Sequence, residues 1–381
     1  MRVLQVSKFY PPVMGGIEAV AWELTEGLNR SGVRTDVLCS GHRWRGRQER
    51  MDAGYEVCRA GCWAMALSTS ISPGLPWHLS RMARGVDIVH VHMPDPMAAA
   101  AYCVTRPHAK LVVHWHSDVI RQRFALKVYE PLQRWLLARA DAIIATSPPY
   151  AASSEPLQPW RDKVVVVPIG ISDNRNSVSR VHAAVLRQRF RGRRLIFALG
   201  RMTYYKGFDI LINAAAALPD DCAVLIGGDG ELLEHYKSMV TKRGLVGKVH
   251  LLGHIADHEL ASHFEACDIF CMSSTVRSEA YGVAILEAMV MGKPIVATDI
   301  EGSGVPWVNE HGVTGLNVPA GNVPQLVEAL QFLLRDDARR AQYGKAARAR
   351  FERDFKAERM TRLTLRLYGR LLQACAINRN T

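Results

Sequence analysis

Two carboxylates, Glu279 and Glu287, stand eight residues apart in the run Ser278-Glu279-Ala280-Tyr281-Gly282-Val283-Ala284-Ile285-Leu286-Glu287-Ala288. Gly282 opens an apolar helical stretch. At about 100° per residue, the second carboxylate returns near the face of the first, about two turns on. Glu279 is then expected in the loop at the helix mouth and Glu287 on the helix. The backbone N–H groups of Gly282 and Val283 are left available to an anion. A purely solvated Glu287 fits poorly beside apolar Leu286, Ala288 and Met289, because burying an unpaired carboxylate is expensive. Upstream, Gly200-Arg201 and Lys206-Gly207 place two cations between a strand and a helix. That suits a diphosphate, and it equally suits a solvated surface pair. Gly15-Gly16 either lets the backbone approach an anion or makes a tight turn. His114 and His116, in Val113-His114-Trp115-His116-Ser117-Asp118, close an apolar strand. A structural histidine is the default elsewhere in a chain with 14 of them.

Strands and helices must position these residues. Short, nearly all-apolar strands are expected at Val3–Val6, Thr35–Cys39, Val86–Val91, Lys110–His114, Ala142–Ala145 and Val164–Val167. Such strands are parallel and covered on both faces. Helical stretches separate them; Ile17, Val20, Leu24 and Leu28 recur at three- and four-residue spacing. The pattern restarts at Leu195–Leu199, continues through a helix at Phe208–Leu218, and resumes as strands at Cys222–Ile226, Val249–Leu252, Asp268–Cys271 and Pro294–Ala297. Two successive βα series predict two doubly wound domains, with ligand sites at the carboxyl ends of the strands, in the crevice between them. The polar stretch from Ile171 to Arg194 breaks the rhythm and marks a linker. The last stretch sets Met360, Leu363, Leu367 and Leu371 on one face, which must dock on something.

With 381 residues, 48% hydrophobic and 22% charged, the chain has the composition of a folded protein of two or three domains, not a disordered one. No apolar run reaches membrane-spanning length, and the apolar part of the N-terminus is too short for a signal peptide. The eight cysteines form no zinc-like cluster, which predicts reduced thiols in a cytoplasmic protein. The net charge of +12 calls for an anionic partner: nucleic acid, membrane or substrate. No zinc finger, RNA-binding aromatic motif or basic zipper supports nucleic acid. Basic Arg121, Arg123, Lys127, Arg134 and Arg139 interleave with Phe124, Leu126, Trp135 and Leu136, and Arg43-Trp44-Arg45-Gly46-Arg47 forms a second such site. Both suit an anionic membrane surface, and a solvated helix with a core face explains the first equally well. Pro131 argues against one straight helix there.

Taken in order, the motifs resemble the retaining glycosyltransferases of the GT-B fold, family 4. They are Gly15-Gly16, Gly200-Arg201…Lys206-Gly207, Gly227-Gly228-Asp229-Gly230, Gly253-His254-Ile255, Glu279-x7-Glu287, Gly292-Lys293-Pro294 and Gly312-x-Thr314-Gly315. The Tyr204-Tyr205-Lys206-Gly207 and Ala145-Thr146-Ser147-Pro148 forms look similar to enzymes of bacterial lipopolysaccharide and exopolysaccharide assembly. The resemblance implies an α/β GT-B fold: two Rossmann-like doubly wound domains facing across a cleft. Residues 1–172 would bind the acceptor, 173–194 link, 195–355 bind the nucleotide-sugar donor, and 356–381 return as a helix to the first domain. It implies that Arg201 and Lys206 hold and stabilise the departing diphosphate, and that Glu287 takes the ribose hydroxyls. Glu279 would contact the transferred sugar, with Tyr281 following it in the motif. Gly282 and Val283 would donate near the phosphate, Gly253, His254 and Ile255 would flank the base, and Gly15 and Gly16 would close on the phosphate. His116 would face the donor sugar, with His114 as its competitor. Where the family often has Pro-Glu, this chain reads Val305-Pro306-Trp307, and Tyr281 stands where Phe is common.

Preorganised positive charge on the diphosphate needs no metal, and no Asp-x-Asp motif is present; Asp95, Asp118 and Asp141 are isolated. The expectation is a metal-independent enzyme without cofactor, acting on a nucleotide-sugar. The narrower resemblance favours a GDP-sugar carrying mannose or deoxymannose. The expected acceptor is a polyprenyl-diphosphate-linked saccharide, reached from the inner face of the cytoplasmic membrane. Rival readings are a UDP-sugar-dependent relative, a nucleotide-sugar epimerase or sugar phosphorylase of the same fold, a nucleic-acid binder, and a periplasmic sugar-binding protein.

Overall fold

A computed structural model describes residues 1–13, 15–66, 69–119 and 123–378, the side chains of 123–127 and 375–378 excepted. The chain forms two compact units: Met1–Ser172 with Ala357–Thr381, and Asp173–Lys356.

The first unit is built on an eight-stranded sheet in the order β10-β9-β8-β7-β1-β2-β4-β3. Its strands are β1 (Arg2–Ser7), β2 (Arg34–Ser40), β3 (Arg47–Arg50), β4 (Glu56–Ala60), β7 (Ile88–Met93), β8 (Lys110–Trp115), β9 (Ala142–Ala145) and β10 (Val164–Val166). All neighbours pair in parallel except β3, which runs antiparallel to β4. A separate hairpin joins β5 (Ala64–Ala66) to β6 (Thr69–Ile71). The covering helices are α1 (Gly16–Arg30), α2 (Leu75–Met82), α3 (Pro96–Thr105), α4 (Arg123–Arg139) and α5 (Pro148–Ser153). Every residue of β7 is buried, as expected of a strand covered on both faces. α4 runs through Pro131. Of the basic segment there, Arg121 and the side chains of Arg123, Phe124, Leu126 and Lys127 lie outside the described residues; Arg134 and Arg139 are exposed.

The second unit opens with α6 (Arg180–Arg189), inside the segment expected to be a linker. Its apolar Ala183 and Leu186 pack on Ala266, so a polar-looking sequence still docks by one short stripe. A six-stranded all-parallel sheet follows, in the order β13-β12-β11-β14-β15-β16. Its strands are β11 (Arg194–Leu199), β12 (Cys222–Gly227), β13 (Val249–Gly253), β14 (Ile269–Met272), β15 (Ile295–Asp299) and β16 (Gly315–Pro319). Around it lie α7 (Phe208–Ala215), α8 (Leu233–Lys242), α9 (Asp257–Ala266), α10 (Val283–Val290), α11 (Val305–Val308), α12 (Val323–Arg335) and α13 (Asp337–Asp354).

The chain then re-enters the first unit as α14 (Ala357–Asn378). Its apolar face finds its partner there. Met360 and Leu367 are buried, Thr361 presses on Gly27 of α1, and Tyr368 hydrogen-bonds His90 of β7. Among the described residues, no helix is long and apolar enough to cross a membrane.

Candidate active site

The loop after β11 is built around Lys206. Gly200 has no side chain, and a Cβ there would lie 2.8 Å from Cε of Lys206. The lysine stem therefore lies over the end of its own strand. Gly207 turns the chain into α7 with φ +62°, and a Cβ there would lie 2.1 Å from the Ser273 carbonyl oxygen. The neighbouring loop fits as closely: a Cβ on Gly228 would reach the Gly200 carbonyl oxygen at 1.9 Å, and the Met202 N–H donates to the Asp229 carbonyl at 2.8 Å. Glycine here lets two strand ends touch backbone to backbone. Arg201, next to this packing, is exposed.

Lys206 Nζ donates to Glu279 Oε2 at 2.6 Å, and both side chains are nearly buried. Burial disfavours the ammonium, yet the Glu279 carboxylate and Tyr205 outweigh it and hold the lysine above its ordinary pKa. Ser274 Oγ donates to the same carboxylate oxygen at 3.0 Å, and Ser303 Oγ donates to the Glu279 carbonyl. Charge, side chain and backbone of Glu279 are thus all fixed. The two serines carry no signal in the sequence beyond standing after strands β14 and β15.

α10 begins at Gly282, with φ +82° and no side-chain cap. The contrast within the chain is informative. Asp95, Ser147, Ser179, Asn322 and Asp336 cap α3, α5, α6, α12 and α13 with their side chains. α1, α2, α7, α10 and α11 start on a glycine that offers no such acceptor; at α1 the Glu18 carboxylate lies close over Gly15, while at α10 the first N–H groups stay available. Glu287 lies on α10, half-buried. Burial first, and the Asp257 carboxylate second, push its carboxyl up to about 7, against the pull of Lys206. Among the described residues it has no hydrogen-bond partner, which leaves an acceptor waiting for a donor.

Tyr281 is buried and packs at 6.4 Å from both Trp307 and Phe355. Trp307 stacks edge-on against Phe355 at 5.6 Å, so the unusual Val305-Pro306-Trp307 segment builds an aromatic core under the Glu279 loop. Gly253 ends β13 with φ +69° and open space around it; His254 is exposed, and Ile255 is buried against Gly227.

In the first unit, Gly15 caps α1 in extended conformation, and a Cβ on Gly16 would meet nothing within 4 Å. His114 and His116 belong to a ladder of four buried histidines that the strand register creates, His92 pairing with His114 across β7 and β8. His114 is fully enclosed and both its ring nitrogens lack partners; His116 sits just past the strand end. His92 Nε2 lies 2.7 Å from Gln5 Oε1 and His92 Nδ1 lies 2.9 Å from His116 Nε2. Burial depresses the pKa of all four rings, that of His116 to about 3, so they are neutral. With Gln5 presenting its oxygen, His92 donates from Nε2 and accepts at Nδ1. His116 must then donate from Nε2, leaving its Nδ1 as the lone-pair side. Gln5 and His92 were not singled out by sequence, although the alternation of His90 and His92 along one strand could have marked their shared face.

Nitrogens of His90, His92 and His114 approach within 4.8 Å of one another. The rings are stacked, His90 on His92 at 23° and His92 on His114 at 27°. Ligand lone pairs lie in the ring planes, so stacked rings do not converge on one ion, and both nitrogens of His92 are engaged.

Known structures establish the architecture. The sucrose-phosphate synthase of Thermosynechococcus elongatus matches with a TM-score of 0.81 at 20% identity, covering 98% of this chain and 99% of that one. HepE of Anabaena, solved with UDP-glucose, matches with a TM-score of 0.78 at 22% identity, covering 98% and 100%. The fold is that of the GT-B glycosyltransferases.

Sequence likeness goes further. Residues 14–175 match Glycosyltransferase Family 4 and residues 187–350 match the Glycosyl transferases group 1. An O-antigen chain mannosyltransferase C of Escherichia coli is 33% identical over 98% of this chain and 100% of its own length. The D-rhamnosyltransferase WbpZ of Pseudomonas aeruginosa is 32% identical, covering 94% and 93%. The chain belongs to this family and is a glycosyltransferase.

Proposed function

We propose that the protein transfers mannose or a deoxymannose such as rhamnose, with retention of configuration and without a metal, from a GDP-sugar to a lipid-linked saccharide in O-antigen assembly. The observation that carries the reading is the second unit's constellation: the fixed Lys206–Glu279 pair, the uncapped start of α10, and the unpartnered Glu287 on the same helix. The names of the mannosyl- and rhamnosyltransferase relatives favour this sugar and acceptor class. Lys206 and Arg201 take the diphosphate, and the N–H groups of Gly282 and Val283 add donors to it. Glu287 accepts from the ribose hydroxyls, Gly253 to Ile255 lie beside the base, and Glu279 and His116 address the sugar. Such a reaction breaks the bond from the anomeric carbon to the phosphate oxygen and forms one to the acceptor oxygen on the same face. The acceptor proton passes to a diphosphate oxygen.

A covalent route would need a carboxylate nucleophile, as in retaining glycosidases. Glu279 is committed to Lys206 and Ser274, and Glu287 to the ribose. Glu279→Gln is therefore expected to lower kcat about a hundredfold or more with no sugar–enzyme adduct in the mass spectrum. Detection of an adduct would overturn the same-face mechanism.

A further inference from the structure

Three tryptophans of the first unit are held out in water. Trp44, Trp63 and Trp77 are 69%, 69% and 60% exposed, beside Met65 at 53% and Ile71 at 38%. Trp44 belongs to the basic segment 43–47, whose composition suits an anionic membrane surface; the other four have no part in the roles described above. The backbone draws their segments together. The Cys62 N–H donates to the Arg43 carbonyl at 2.8 Å, and a Cβ on Gly61 would lie 2.1 Å from the Trp44 carbonyl oxygen. The Trp63 N–H donates to the Ile71 carbonyl at 2.9 Å, across the β5–β6 hairpin. A Cβ on Gly46 would lie 3.7 Å from the His78 ring, which in turn packs edge-on against Trp77 at 4.7 Å. α2 buries Leu75 and Leu79; Trp77, about 200° around the helix from Leu75, points away from that core.

Exposed arginines thread the patch. The Arg45 guanidinium lies 5.5 Å over the Trp44 ring and that of Arg81 lies 5.7 Å over Trp77. Arg43, Arg45 and Arg81 have no carboxylate partner among the described residues, while the nearby Glu49 is held by Arg47 and Arg59.

In the hairpin Met65 pairs with Ser70 and Ala64 with Ile71, so Trp63 and Met65 share one face and Ile71 lies on the other; large apolar side chains exposed together on adjoining segments mark a docking face. Indoles settle at the headgroup level of a bilayer, aliphatic side chains reach below it, and guanidinium groups meet anionic phosphates. A second copy of the chain is a poor occupant, since a two-fold contact would set the same arginines against each other. A nucleic acid would use the indoles and arginines but gains nothing from Met65. We infer that Trp44, Trp63 and Trp77, with Met65 and the arginines beside them, form a membrane-docking face that seats the first unit on an anionic lipid surface. Its purpose rests on the proposed lipid-linked acceptor; its location rests on the exposed side chains alone.

The test uses the full chain and vesicles of phosphatidylcholine with or without phosphatidylglycerol. The wild type is expected to co-sediment with the anionic vesicles, with its tryptophan fluorescence quenched by brominated lipid. The triple variant Trp44→Ser, Trp63→Ser, Trp77→Ser should lose at least about tenfold in partitioning while keeping its unfolding temperature and its turnover of soluble donor. Arg43→Gln with Arg45→Gln and Arg81→Gln should chiefly weaken the dependence on salt and anionic lipid. Equal vesicle binding by the triple variant would overturn the inference. So would a change of oligomeric state or a loss of oligonucleotide binding in that variant with vesicle binding intact. If the triple variant loses vesicle binding yet elongates vesicle-embedded and soluble acceptors equally, the docking face stands and the lipid-linked acceptor falls.

Discussion

Glu287 shows how a single residue can be both a cost and a tool. Its carboxyl is pushed from an ordinary 4.5 up to about 7, chiefly by burial. Between those values the folded chain holds a proton that the unfolded chain has lost. Stability from this group is therefore full below about pH 4.5 and is lost as pH rises through 7. Glu287→Gln should stabilise the ligand-free protein at pH 8 by about 2 kcal/mol, discounted for partial solvent access, and by almost nothing at pH 4. Thermal unfolding of both proteins at the two pH values checks this. An equal difference at both would contradict the assigned burial. The same variant should bind nucleotide more weakly, because the destabilising carboxylate is the one a ribose would satisfy.

At the scale of elements, the glycine-led turns separate folding from chemistry. Gly207 is required by the fold: its φ is +62° and the Ser273 carbonyl occupies the space of a Cβ. Gly207→Ala should cost about 2 kcal/mol or more, read from denaturant midpoints. Gly16 is different, with an open surrounding and an ordinary φ. Gly16→Ala should leave stability within about 0.5 kcal/mol and still lower kcat/KM about a hundredfold if the α1 start receives phosphate. Unchanged kcat/KM would make Gly15-Gly16 a simple turn. This contrast also marks what sequence could show. The central apolar strands, the glycine-led helix starts and the Glu279–Glu287 register were legible because apolar runs, glycines and spacing act locally; β3 to β6 and β16, at the sheet edges and in the hairpin, were not. The Ser274 and Ser303 clamps, the Trp307 core and the Gln5–His92–His116 chain were not, because each joins residues that only the folded sheet brings together. The helix at Arg180–Arg189 was hidden by its polarity, since two apolar side chains suffice to dock it.

At the scale of the molecule, the sequence announced two βα series, and the family resemblance implied that the last helix returns to the first domain, but not which elements it docks on. α14 closes on α1 and on β7, where Tyr368 meets His90. A chain ending at Lys356 should lose the folding of the first unit while the second stays protease-resistant. Equal resistance of both would contradict the assignment of α14. As a whole, the proposed enzyme is a GT-B fold that activates a nucleotide-sugar by fixed charge. The most direct measurement of this is release of nucleoside diphosphate from a panel of GDP-, UDP- and ADP-sugars in excess EDTA, with Lys206→Ala and Glu287→Ala alongside. The expected result is turnover of a GDP-sugar, unchanged by EDTA and lost in both variants. Turnover abolished by EDTA, or surviving the loss of Lys206, would contradict it.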